Sequence, residues 1–121
     1  MNFDRLYDSI MNTDESIRYV VVLNNTGEKI SGGYRKEVIP LLDEEELKMV
    51  HFYAGQRWNT RKNLIHKIGN TKYAMAEYDK IKRMSFPIDE KHLLMVTTEI
   101  DTDHQKIIST ILNLIGQELN S

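Results

Sequence analysis

The chain has no cysteine. That excludes disulfides, thiolate metal sites, iron–sulfur clusters and a cysteine nucleophile together. Prolines number two and glycines six in 121 residues, and no flexible linker or low-complexity tract is present. No apolar run approaches the ~20 residues that span a bilayer. The opening Met-Asn-Phe-Asp-Arg lacks the basic-then-apolar order of a signal peptide, so the expectation is a soluble cytoplasmic protein. A strong charge of one sign is missing as well: 16 basic and 18 acidic residues leave a formal −2. Disorder is excluded by composition, with 40% hydrophobic and 28% charged residues. The length suits one domain, residues 1–121, with one sizeable core.

Spacing supplies the elements. Phe3, Leu6, Tyr7, Ile10 and Met11 fall on one helical face, with Asn2 as cap and Asn12-Thr13-Asp14 as stop. From Tyr19 to Leu23 both parities are apolar, which marks a strand covered on both faces. Asn24-Asn25-Thr26-Gly27 is a turn, and Lys29–Ser31 returns as a short strand that closes at Gly32-Gly33. Asp43 and Glu46 form a capping box that opens a long helix, expected to run to Lys67 and stop at Gly69-Asn70. Thr71–Tyr78, Lys80–Phe86 and His92–Thr98 are strands joined by turns too short for a parallel return. Thr102 with Gln105 forms a capping box for a last helix that carries Ile107, Ile108, Ile111, Leu112, Ile115 and Leu119. The order α-β-β-α-β-β-β-α predicts an α+β fold with one five-stranded antiparallel sheet and a long middle helix.

This order, with the Ile17–Leu23 strand, the Asn25-Thr26-Gly27-Glu28 hairpin, the long middle helix and the three-strand meander, resembles the roadblock family of small profilin-like domains. The resemblance covers Phe3 to Leu119. The chain also resembles a group of short archaeal proteins of undefined function, through Gly32-Gly33-Tyr34-Arg35 and Thr71-Lys72-Tyr73-Ala74-Met75. The roadblock resemblance implies a homodimeric or heterodimeric module that scaffolds complexes or regulates a small GTPase. A PAS-like sensor domain is the alternative fold, with a small molecule held between sheet and helix.

The middle helix holds the most informative side chains. Leu47, Met49, Val50, Phe52, Tyr53 and Ala54 surround most of its circumference, so one face packs on the sheet and the other needs its own cover. That cover is another part of the chain or a twin across a two-fold axis. Met49, Phe52 and Tyr53, with Tyr73 and Met75 on the following strand, are the candidate self-interface. The later half is basic. Arg57, Arg61 and Lys62, with Trp58 for stacking and Lys80 and Lys82 from the meander, are candidates for an anion or partner site. Each has a plainer alternative: a solvated helix end that complements its own dipole, a core tryptophan, and lysines that guard a sheet edge. Lys80 and Lys82 share a parity in their strand while Arg83 points the other way, which weakens a nucleic-acid surface.

Catalytic and cofactor signals are thin. His51, His66, His92 and His104 have no metal-ligand spacing, and Asp101-Thr102-Asp103-His104 stands where a helix wants an acidic start. Ser31, Ser85 and Ser109 lack an elbow motif. Gly32-Gly33 has no following Gly-Lys-Ser/Thr and fits a strand end or bulge. No enzyme, metal or cofactor is expected. The charge of −2 hides a division: residues 57–83 carry eight basic side chains against only Glu77 and Asp79, and the rest of the chain is strongly acidic. Such a segregated field favours a binding module, because it can steer an acidic partner or orient two copies of the same chain.

Overall fold

Helix α1, Phe3–Met11, begins at Asn2, whose side chain accepts from the Arg5 amide at 3.0 Å. Strand β1 spans Ile17–Asn24 and β2 spans Lys29–Tyr34. Helix α2 spans Glu44–Lys62, and the short α3 spans Ile65–Ile68. Strands β3 (Ala74–Glu77), β4 (Ile81–Pro87) and β5 (His92–Glu99) precede the last helix, α4, at His104–Leu119. These elements come from a computed structural model that describes residues 1–120. One antiparallel sheet takes the order β2-β1-β5-β4-β3, which leaves β2 and β3 as its edges.

Boundaries depart from expectation where long-range contacts override local signals. Strand β2 continues through Gly32-Gly33 to Tyr34, because β1 pairs with it as far as Tyr19 opposite Tyr34. Strand β3 is shorter than the expected 71–78, since only Ala74–Glu77 finds partners on β4. Helix α2 stops at Lys62 rather than Lys67: Asn63 turns back with its amide on the Thr60 carbonyl, and the Lys62 ammonium is held by the Glu90 carbonyl at 2.9 Å. The cap of α4 is Asp103, which accepts from the Lys106 amide, and not Thr102. The Thr102 hydroxyl instead meets the Ser16 hydroxyl at 2.6 Å. The expected capping box of α2 is formed, with the Asp43 and Glu46 side chains each accepting from the other's amide.

Alternation along the strands builds two cores. Val20, Val22, Met84, Phe86, Leu94 and Val96 face α1 and α4, where Leu6, Ile10, Ile107 and Ile111 cover them. Tyr19, Val21, Leu23, Leu93 and Met95 face the other way and receive Ala54 and Trp58 of α2. Bidentate pairing of Arg5 with Glu118 links α1 to α4 at the surface. Arg35 gathers the chain ahead of β1, donating to the carbonyls of Met11, Asp14 and Ile17.

Two glycines permit close approaches. Gly32 lies at φ +114°, and a Cβ there would stand 2.1 Å from the Val20 carbonyl oxygen. Gly27, at φ +83°, lets the β1–β2 turn touch α2, where a Cβ would be 2.8 Å from the His51 carbonyl oxygen. Below that contact His51 is only 6% exposed, and its Nε2 lies 3.2 Å from the Tyr19 hydroxyl. Burial, with Lys29 and Arg83 adding their positive fields, pushes His51 down to about 4. Burial pushes the Tyr19 phenol up.

Gly32→Ala is expected to cost roughly 2–3 kcal/mol of stability in urea unfolding, through strain and the collision with β1. His51 generates a pH dependence. Its folded pKa lies below its unfolded value, so the unfolded chain binds the proton first and stability falls as pH drops from about 6.5 towards 4. At pH 5 this group alone should remove about 2 kcal/mol relative to pH 7.5. His51→Gln keeps a polar partner for Tyr19, and parallel urea melts at the two pH values should show that part of the dependence lost.

Candidate interaction surface

Helix α2 sends His51, Ala54, Gly55 and Trp58 into the sheet, so its remaining face is turned outward. Met49, Phe52 and Tyr53 sit there at 53%, 48% and 51% exposure. The Phe52 and Tyr53 rings meet edge to face, with centroids 5.3 Å apart. Large apolar groups left half in water beside one another are what a protein-binding surface offers.

The other two candidate interface residues lie elsewhere. Met75 stands opposite Met84, and the Tyr73 ring is 6.4 Å from Phe86, which puts both on the α1/α4 side of the sheet. No single flat patch contains all five. Tyr73 and Met75 belong to the margin of the sheet at β3, an edge strand of sequence Ala-Met-Ala-Glu, whereas Phe52 is turned towards β2 at the other edge.

The basic candidates separate as well. Arg57 and Arg61 line a groove of about 310 Å³ between α2 and the β3–β4 hairpin. Arg83 joins them there, with Ala74 and Ala76 keeping the floor open. One Arg83 guanidinium nitrogen donates to the Tyr78 hydroxyl at 3.0 Å, while its Nε is buried without a partner. No carboxylate lines this groove, and the Arg57 and Arg61 side chains have no ion pair or hydrogen bond among the described residues.

Trp58 is a core residue at 4% exposure, and the Lys62 ammonium lies 3.7 Å from its ring centroid. Lys62 therefore caps the tryptophan and the Glu90 carbonyl. Lys82, 7% exposed, turns to the α1/α4 face. There it donates to the Thr102 carbonyl at 2.9 Å and to His104 Nδ1 at 3.0 Å, with Glu77 3.8 Å away. Lys80 is exposed beyond the start of β4. The structure thus keeps Arg57 and Arg61 together, removes Trp58, Lys62 and Lys82 to other surroundings, and adds Arg83 and Tyr78. Arg83 was visible in the alternation of β4, since Ile81, Arg83 and Ser85 oppose Lys82, Met84 and Phe86. Its meeting with α2 was not.

On the opposite flank of α2, Thr26, Gly27, Lys29, Tyr34, Lys48 and Phe52 border a second hollow of about 790 Å³ beside β2. It lies at the surface, between helix and edge strand. No helix among the described residues is long and apolar enough to cross a membrane.

Solved structures with this architecture share little sequence with the chain. A roadblock/LC7 domain from Streptomyces avermitilis has a TM-score of 0.74 at 13% identity, over 99% of this chain and 97% of that one. MglB from Myxococcus xanthus gives 0.70 at 12% identity, over 97% and 94%. Profilin II from Acanthamoeba castellanii gives 0.62 at 5% identity, over 98% of each chain. The fold is therefore of the roadblock and profilin type, the first of the two folds that the sequence suggested. Among curated proteins none is significantly similar. Residues 5–121 match one family model throughout, and the chain belongs to that family, DUF6659, a family of unknown function.

Proposed function

We propose that the chain is a non-enzymatic, homodimeric protein-interaction module. The observation that carries this reading is the exposed apolar face of α2, with Met49, Phe52 and Tyr53 each about half in water while the opposite face is packed on the sheet. The small outer strand supports it. Natural edge strands are commonly guarded by lysine or proline, yet β3 has neither and presents Ala74, Met75 and Ala76. Its outward row of backbone groups can pair with the same strand of a second copy.

A two-fold axis perpendicular to the sheet would join β3 to β3 in antiparallel fashion and bring the two α2 helices side by side on one face. Tyr73 and Met75 would then meet the twin on one side of the extended sheet, and Tyr53 on the other. This arrangement explains why interface candidates lie on both faces: a strand edge gives access to both at once. The contact would bury aromatic anchors with charged residues at the rim. As for the partner of the dimer, the roadblock likeness makes a small GTPase the first to test, and a structure of MglB in a tetrameric arrangement is among the similar folds.

Sedimentation equilibrium at low micromolar concentration should return twice the mass of the chain. Tyr53→Asp and Met75→Asp should each yield a folded monomer with unchanged far-UV circular dichroism. A wild-type monomer would remove the homodimer, and unfolding of both variants would assign these side chains to the core. Purified small GTPases, loaded with GDP or a GTP analogue and titrated calorimetrically, then test the partner.

A further inference from the structure

The groove that holds Arg57, Arg61 and Arg83 lacks the negative charge that three guanidinium groups call for. No carboxylate lines it, and Arg83 Nε is buried unpaired. The chain carries a dense block of carboxylates on the same helix, about three to five turns earlier. Glu44, Glu45 and Glu46 follow Asp43 at the start of α2, all exposed. Glu44 and Glu45 have no ion pair among the described residues. Within one chain this acidic turn cannot reach the groove, because the rigid helix α2 holds the two apart. In a second copy placed antiparallel it can.

The side-chain order along α2 supports one register. Glu46, Val50, Tyr53 and Arg57 are spaced 4, 3 and 4 apart, which confines them to about 60° of helical arc. Arg57 in that stripe lines the groove, and Val50 lines the cleft that adjoins Arg83. The stripe is therefore on the β3 side of the helix. It reads acid, apolar, apolar, base, and is complementary to its own reverse. An antiparallel twin sets Val50 against Tyr53, and Glu46 against Arg57, twice by symmetry. A parallel pairing would instead oppose like charges and align the helix dipoles.

We propose that the arginine groove is completed by a second copy of the chain. The acidic first turn of α2 from the partner enters it, with the partner's Glu46 against Arg57 and the partner's Asp43 near Arg61. The site is half-built in each subunit, and the two halves fix both the antiparallel sense and the register of the dimer. The Glu46 oxygen that serves the capping box leaves its second oxygen for this contact. The inference rests on the homodimer proposed above and goes beyond it in naming the charged pair.

A charge-swap cycle tests it by sedimentation at about 50 mM salt, where such contacts are least screened. Each substitution appears twice in the dimer, so Arg57→Glu and Glu46→Arg should each weaken dimerisation by about tenfold or more. The chain carrying both, R57E/E46R, should return to within about threefold of wild type, since the pairs are re-formed with reversed sign. Glu46→Gln keeps an acceptor for the capping box and should give an intermediate loss, which separates the pairing from helix capping. Circular dichroism melts establish that each variant is folded. A wild-type dimer that is indifferent to R57E, or a double variant with no recovery, overturns the groove assignment and leaves the homodimer intact. A wild-type monomer overturns both.

Discussion

Burial on both faces of the inner strands β1 and β5 organises this molecule. Val20, Val22, Leu94 and Val96 point to one side and Tyr19, Val21, Leu93 and Met95 to the other, and none of them tolerates water. A sheet with two apolar faces must be covered twice, at roughly 25 cal/mol for each Å² of apolar area removed from water. The helices divide that work by position in the chain. The first and last, α1 and α4, share one face and are tied by the Arg5–Glu118 pair. The middle helix α2 covers the other face alone.

One helix is too narrow to cover a five-stranded sheet. Helix α2 sits over β1 and β5, with Trp58 and Ala54 as its contacts, and the β1–β2 turn presses against it through Gly27. Towards β3 the sheet is left open, and the three arginines border that opening. The same incompleteness that exposes Met49, Phe52 and Tyr53 leaves Arg57 and Arg61 without anions. The edge strand β3 and the positive groove adjoin one another on this open side of the sheet. The helix itself carries both signs of charge, acidic at the start and basic at the end.

Local signals were legible wherever the physics is local. The Asp43–Glu46 capping box, the Asn2 cap, the helical face from Phe3 to Met11 and the strand from Tyr19 to Leu23 depend on neighbours within a few residues, and they formed as spaced. Ends of elements were less legible, since partners far along the chain set them. Strand β2 extends through two glycines because β1 continues beside it, and Gly32 is required there by the nearness of the Val20 carbonyl. Helix α2 ends early because Asn63 turns back on its last turn and Lys62 is held over Trp58 and at the Glu90 carbonyl.

The sequence by itself determined the composition of the surface and its division into a basic block and an acidic remainder. It also determined which residues of α2 could not all be buried, because periodicity limits how much of a helix one sheet can cover. Only the tertiary structure decided which charges meet. Lys82 and Arg83 are adjacent in β4, yet the pleat sends one to a buried bond with the Thr102 carbonyl and the other to the groove beside Arg57 and Arg61. Strand order settled that outcome: with β4 between β5 and β3, its α2-facing side chains come to lie beside the end of the helix. Neighbours in sequence are separated by a two-residue period, whereas neighbours in space are chosen by how the layers stack.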